Sequence, residues 1–285
     1  MFSTIGKFIK WIGDHFKGML FLLIVAVIFM PDTSAPSAKA NLQEIKLTGP
    51  IMSADSIIKE IEKAQKNKNI KGVLLNVNSP GGAVPPSIEI AYAIKALQET
   101  KPVIVYASGI LASGSYYASI YAKKIIANPG SIVGSIGVIM ESADISKLMK
   151  TLGVKTQVVK QGTYKEAGTP TREWTVEERA ELERLTKDTY ELFVQDVATA
   201  RGLKVEDANT YADAHIFSAK RAKEVGLIDM IAVKSKAKEV LKQEANVSKA
   251  VWKEKDKFDS FMDKLEGKSI LNIQNYFYGL KSSLF

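Results

Sequence analysis

Two short turns hold the residue types that acyl-transfer chemistry needs. Ala112-Ser113-Gly114-Ser115 sets a serine hydroxyl among small neighbours, which let a peptide backbone come close. In Asn78-Ser79-Pro80-Gly81-Gly82 the proline fixes one dihedral, and the paired glycines leave backbone N–H groups free to turn toward a bound oxygen. Two fixed N–H donors where negative charge develops make an oxyanion hole. Gly81, Gly82 and Gly114 are the candidate donors. Either turn alone also has a plainer reading, since Pro-Gly-Gly is a common turn and a serine ahead of a helix is commonly its N-cap. Ser108 and Ser115 compete with Ser113 for the role of nucleophile.

A serine hydroxyl is a weak nucleophile without an adjacent base. The chain has no cysteine and two histidines, His15 and His215. His15 precedes a long apolar run, which separates it from the rest. His215 has Asp213 two residues away, but a triad needs that carboxylate on the same imidazole, and residues two apart in a turn need not meet. Lysine is the remaining base, and it must be neutral to accept a proton, which burial can bring about. Periodicity does not choose among so many lysines. The loop Gln161–Gly168, which carries Tyr164 and Lys165, is one candidate.

These turns need elements to hold them. Strand-like runs are expected at Glu44–Thr48, Gly72–Val77, Pro102–Ala107, Lys124–Ala127, Ile136–Met140 and Thr156–Val159. Between them, Ser53–Gln65 and Ser87–Glu99 have helical spacing. Strands alternating with helices imply βαβ units, a mainly parallel sheet and an α/β fold. Thr175–Arg201 predicts a long helix, opened by the capping box Thr175-Val176-Glu177-Glu178 and closed by Gly202.

The 285 residues are 46% hydrophobic, enough for a substantial core. The net charge of +8 is dispersed among acidic residues, without a run of five like charges. Nucleic acid is therefore not expected as a partner. No P-loop or cluster of metal ligands appears, so no cofactor is expected. Lys7, Lys10 and Lys17 precede the uncharged run Gly18–Met30. Thirteen helical residues reach about 20 Å, short of the roughly 30 Å of bilayer hydrocarbon. Trp11, Phe16 and the Lys17 stem extend it into the interface. A short N-terminal membrane-anchor helix is the preferred reading over cleavage near Ala40, with the N-terminus cytoplasmic and the remainder exported. The expected organisation is 1–30 for cytoplasmic N-terminus and anchor, 31–41 for a linker, 42–240 for a catalytic domain and 241–285 for a C-terminal helical extension.

Six motifs occur in order: Asn-Ser-Pro-Gly-Gly (78–82), Ala-Ser-Gly-x-Tyr-Tyr (112–117), Ala-Asn-Pro (127–129), Gly-Ser-Ile-Gly-Val (134–138), Gly-x-Tyr-Lys (162–165) and Ala-x-x-x-Gly-Leu-Ile-Asp (222–229). Over residues 43–240 the chain resembles the signal peptide peptidase A family of bacterial serine proteases, in its short single-domain form. The resemblance implies a ClpP/crotonase-like fold of repeated βαβ units. It implies Ser113 as nucleophile, Lys165 as general base, Ser135 as the residue positioning the lysine, and the Gly81–Gly82 turn and the Gly114 amide as the oxyanion hole. It further implies a homo-oligomeric ring in which serine and lysine come from different subunits. The implied substrates are remnant signal peptides, cleaved after their release from preproteins, at the extracytoplasmic side of the bacterial inner membrane under a single-pass anchor. One departure is Ala214-His215, where family members often carry Gly-Arg. The alternatives are a ClpP-like protease using His215, a crotonase-like thioester enzyme, and a non-catalytic membrane scaffold.

Overall fold

Val- and Ile-rich runs that alternate with amphipathic segments fold as parallel strands with helical crossovers, because such strands must be covered on both faces. The computed structural model describes residues 11, 13–22 and 39–254. They fall into two units. In the first, residues 13–22 are helical. Among the described residues no helix is long and apolar enough to cross a membrane. The expected anchor runs on to Met30, and from residue 23 it lies outside the described residues, as does the C-terminal extension from residue 255.

The second unit, Ala40–Lys253, is built on one seven-stranded sheet. Strands β1 (Leu42–Thr48), β2 (Gly72–Ser79), β3 (Val103–Ala112) and β4 (Lys124–Ala127) pair in parallel in that order. Helices α1 (Asp55–Lys66), α2 (Val84–Gln98) and α3 (Gly114–Ser119) follow the first three strands. Beyond its pairing with β4, the far end of β3 pairs in parallel with β5 (Ile132–Gly134). After β5 come α4 (Ser146–Thr151), α5 (Val176–Arg201), α6 (Ala208–Tyr211), β6 (Ile216–Ser218), α7 (Ala219–Glu224), β7 (Met230–Ile231) and α8 (Lys234–Glu244). Strand β6 runs antiparallel on β5, and β7 closes the other edge on β4. The mixed α/β class with a mainly parallel sheet is therefore as expected.

Val73, Leu75, Val103 and Val105 pack toward α1–α3 and α5, whereas Leu42, Leu74, Ile104 and Ile126 pack under α8 and Trp252. The chain ends of the unit are stitched together. Leu42 N–H donates to Val251 O (3.1 Å) and Lys253 N–H to Leu42 O (2.7 Å). Lys101, just ahead of β3, places its ammonium on the carbonyls of Ala64, Gln65 and Asn67 at 2.6–2.8 Å. These are the acceptors a helix C-terminus leaves over, so Lys101 fixes the end of α1 against the sheet.

Helix α5 follows the sequence closely. Thr175 Oγ1 accepts from Glu178 N–H, the Glu178 carboxylate accepts from Thr175 N–H, and Gly202 ends the helix at φ 65°. Two expected strands do not form. Ile136–Met140 and Thr156–Val159 pair with no strand, and Ile139 (83%) and Val159 (100%) stand exposed in the single chain.

Candidate active site

The site is made where β2 and β3 end. Val77 pairs with Ala107, but Ser79 pairs with Leu111, so β3 holds two extra residues, Ser108 and Gly109. This bulge is held by Asn78, whose Oδ1 accepts from Ile110 N–H (3.0 Å). A Cβ on Gly109 would lie 2.4 Å from that oxygen and would force the Asn78 side chain off its bond. The bulge re-aims the strand. It carries Ala112 onto β5, and Ser113 N–H then donates to Gly134 O (2.8 Å).

Ser113 occupies the N-cap position of α3, yet its side chain makes no capping bond. Its backbone is at φ 53°, ψ −126°, a conformation that L-residues adopt at a cost of about 1–3 kcal/mol. A strained serine between strand and helix presents its hydroxyl outward. Both rivals are occupied elsewhere. Ser115 is fully buried, accepts from Ala112 N–H, and lies within hydrogen-bond reach of Ser79 O (2.7 Å); Ser108 donates to Val77 O.

The glycine turn packs directly on this elbow. A Cβ on Gly81 (φ 93°) would lie 2.6 Å from Gly114 N and 2.8 Å from Ser113 Cβ. One on Gly114 would lie 2.3 Å from Ser87 Oγ and 3.2 Å from Gly82 N. Gly81 N–H is already bound to Ser79 Oγ (3.2 Å). Ile51 pairs with the turn through Gly81 O and Ala83 N–H, each at 2.8 Å, which leaves Gly82 N–H on the opposite side. Among the described residues, Gly82 and Gly114 N–H have no acceptor. Ser113, Gly82 and Gly114 border one cavity, walled by Val84, Ile88, Tyr117, Val138, Leu192 and Phe193. Tyr117 donates to Asp196 on α5 and packs on Phe193, with ring centroids 4.7 Å apart. Burial and that carboxylate together push the phenol far above its ordinary range.

Ser135 directly follows Gly134, so Ser113 and Ser135 each come one residue after the Ala112–Gly134 pair, on neighbouring strands about 4.8 Å apart. Ser135 also has a positive φ, 51°, and donates its N–H to His215 O (2.7 Å). His215 is exposed, and its ring lies tilted beside Phe217 with centroids 5.9 Å apart; among the described residues no carboxylate holds the imidazole. Asp213 donates its backbone N–H to Tyr190 Oη (3.0 Å). Lys165 lies exposed in the turn 163–168, whose later residues are half-buried, and does not line the cavity at Ser113. The single chain therefore gathers Ser113, Gly81, Gly82, Gly114 and Ser135, and leaves Lys165 apart from them.

Sequence reasoning missed the contribution of α5. Thr189, Leu192 and Phe193 wall the cavity, and Asp196 extends the same helical face to Tyr117. Their three- and four-residue spacing marks a face, but nothing local says what it covers. The role of Asn78 at the bulge was equally hidden.

A model of peptidase family S49 matches residues 95–248. A relative from Methanocaldococcus jannaschii named as a protease is 43% identical over 188 residues, which are 66% of this chain and 60% of the relative. One from Synechocystis sp., also named as a protease, is 35% identical over 71% of this chain and 74% of its own length. One from Enterococcus faecium, named as a signal peptide peptidase, is 33% identical over 68% of this chain and 57% of its own. Of the first and the last, the chain spans less than two thirds.

Proposed function

The chain belongs to peptidase family S49, and from that premise we propose that it is a serine endopeptidase with Ser113 as nucleophile and Lys165 as general base. The observation that carries the reading is the elbow itself: a strained serine whose side chain makes no capping bond, beside two backbone N–H groups that have no acceptor among the described residues. Ser113 Oγ attacks the scissile carbonyl and passes its proton to the neutral Lys165 amine. The resulting oxyanion accepts from Gly82 and Gly114 N–H, while Gly81 shapes the turn. Collapse expels the amine product, which takes the proton back. A water then hydrolyses the acyl-enzyme by the same route. Ser135 steadies the lysine amine at the neighbouring strand end.

A lysine base needs shelter from water, and Lys165 is exposed in the single chain. Val154, Val158 and Val159 are exposed in the segment that leads to it. The reading is completed by a homo-oligomeric ring in which a second copy covers this segment and Lys165 reaches the Ser113 of its neighbour. The sheet order and crossovers support a ClpP/crotonase type of fold. The apolar cavity walls suit apolar peptides, and remnant signal peptides at the extracytoplasmic face of a bacterial inner membrane are the proposed substrates. Membrane anchoring through Gly18–Met30 is part of the same proposal. A fluorophosphonate probe tests the core of it. Labelling of the wild-type protein at Ser113, with labelling and peptide hydrolysis both abolished in Ser113→Ala, is the expected result. Unchanged hydrolysis by Ser113→Ala would point to thioester-type chemistry without a nucleophile, and no labelling at all to a scaffold.

A further inference from the structure

Lys165 sits in a turn that lacks regular structure, yet its two neighbours are not loose. Glu166 accepts from Arg172 Nη2 (3.1 Å) and pairs with Lys160 (2.8 Å). Arg172 turns its fork on Glu178, Nη1 to Oε2 and Nη2 to Oε1, both at 2.8 Å. The Glu178 side chain is 1% exposed and closes the capping box of α5. On the other flank, the Tyr164 phenol lies beside the Arg184 guanidinium, which pairs with Glu181 on the same helix. Trp174 Nε1 donates to Thr169 O (2.8 Å), bracing the segment between the turn and the helix. Within the turn, Ala167 N–H donates to Tyr164 O (3.0 Å) and Thr169 N–H to Glu166 O (2.9 Å).

We infer that Glu166 and Arg172 are positioning residues for the reaction, clamping the Lys165 turn to the buried Glu178 in the first turn of α5 so that the amine is presented from a fixed base. The inference rests on reading Lys165 as the general base. The physical argument is one of leverage. A lysine has four rotatable bonds, and a mobile backbone would add to that freedom. Bidentate pairing between planar guanidinium and carboxylate fixes orientation as well as distance. Glu178 cannot move without breaking the helix cap, so the geometry passes from a helix end through Arg172 to Glu166 and the residue before it. The clamp lies wholly within one chain, and it serves equally whether the amine acts in its own subunit or in the next.

The test uses the full-length protein in its membrane or detergent, in four forms: wild type, Glu166→Gln, Lys165→Ala and the double variant. Turnover of a quenched apolar peptide and the rate of Ser113 labelling by a fluorophosphonate are both measured. Glu166→Gln is expected to lower kcat about tenfold with KM within about twofold, while Tm moves by less than about 2 °C. In the Lys165→Ala background the same change is expected to alter the labelling rate by less than about twofold, because there is no amine left to misplace. Wild-type kcat in Glu166→Gln, with Lys165→Ala inactive, overturns the clamp and leaves the base standing. An equal tenfold loss in both backgrounds assigns Glu166 a merely structural role and also overturns the clamp. An active Lys165→Ala overturns base and clamp together. Should Glu166→Gln unfold, Glu166→Asp, which keeps the charge and withdraws it by one methylene, is measured in its place against the same criteria.

Discussion

At the scale of single residues, the site is a matter of close approach. Gly81 lies so near the Ser113–Gly114 peptide that a methyl group has nowhere to go, and its φ of 93° is strained for any other residue. Gly81→Ala is expected to cost about 2 kcal/mol in a urea titration and to slow Ser113 labelling at least tenfold or so, because the turn that offers Gly82 N–H must shift. A stable variant with wild-type labelling would detach Gly81 from the site. These residues were legible in part. Asn-Ser-Pro-Gly-Gly and Ala-Ser-Gly announced turns with donors, because glycine and proline act on their own dihedrals. That Gly81 N–H is taken by Ser79 while Gly82 N–H is left open was not legible, since it depends on the bridge to Ile51, about thirty residues away in sequence.

At the scale of elements, α5 is the frame on which two parts of the proposal hang. Its N-terminus carries the clamp, and its middle walls the cavity through Leu192 and Phe193. The Arg172 guanidinium, with help from Thr175 N–H, holds the Glu178 carboxyl at about 2, below its ordinary 4.5. The sign follows directly. A carboxyl depressed in the folded state contributes stability in full above about 4.5, and that contribution is lost as pH falls through about 2. Thermal melts between pH 7 and pH 2 are expected to show Tm falling across this window, and Glu178→Gln to start lower and flatten the fall. A variant with the wild-type slope would remove Glu178 from the account. The helix was legible because a capping box and a terminal glycine are local signals. Strands β5, β6 and β7 were not, being two or three residues long and defined by partners far away in the chain. The opposite error arose at Ile136–Met140 and Thr156–Val159, apolar runs that read as strands and form none.

At the scale of the whole molecule, Ser113 and Lys165 stand on different footings. The first is built into the sheet's forked end, the second onto a segment that exposes Val154, Val158 and Val159. If the amine crosses to a neighbour, two dead proteins should repair each other. An equal mixture of Ser113→Ala and Lys165→Ala, dissociated and reassembled together, is expected to regain about a quarter of wild-type turnover, since about a quarter of the interfaces join an intact serine to an intact lysine. No recovery on mixing would confine the pair to one chain. The stitching of Leu42 to Val251 and Lys253 has a consequence for how such a chain is made. A polypeptide that emerges from its N-terminus releases β1 early, but the partner for the outer edge of that strand is among the last parts of the unit to appear. Until then the strand edge and the seat of Trp252 face whatever surrounds the emerging chain. The unit therefore completes itself only once residues 251–253 have emerged, and the interval before that is when a chaperone or a protease would find it.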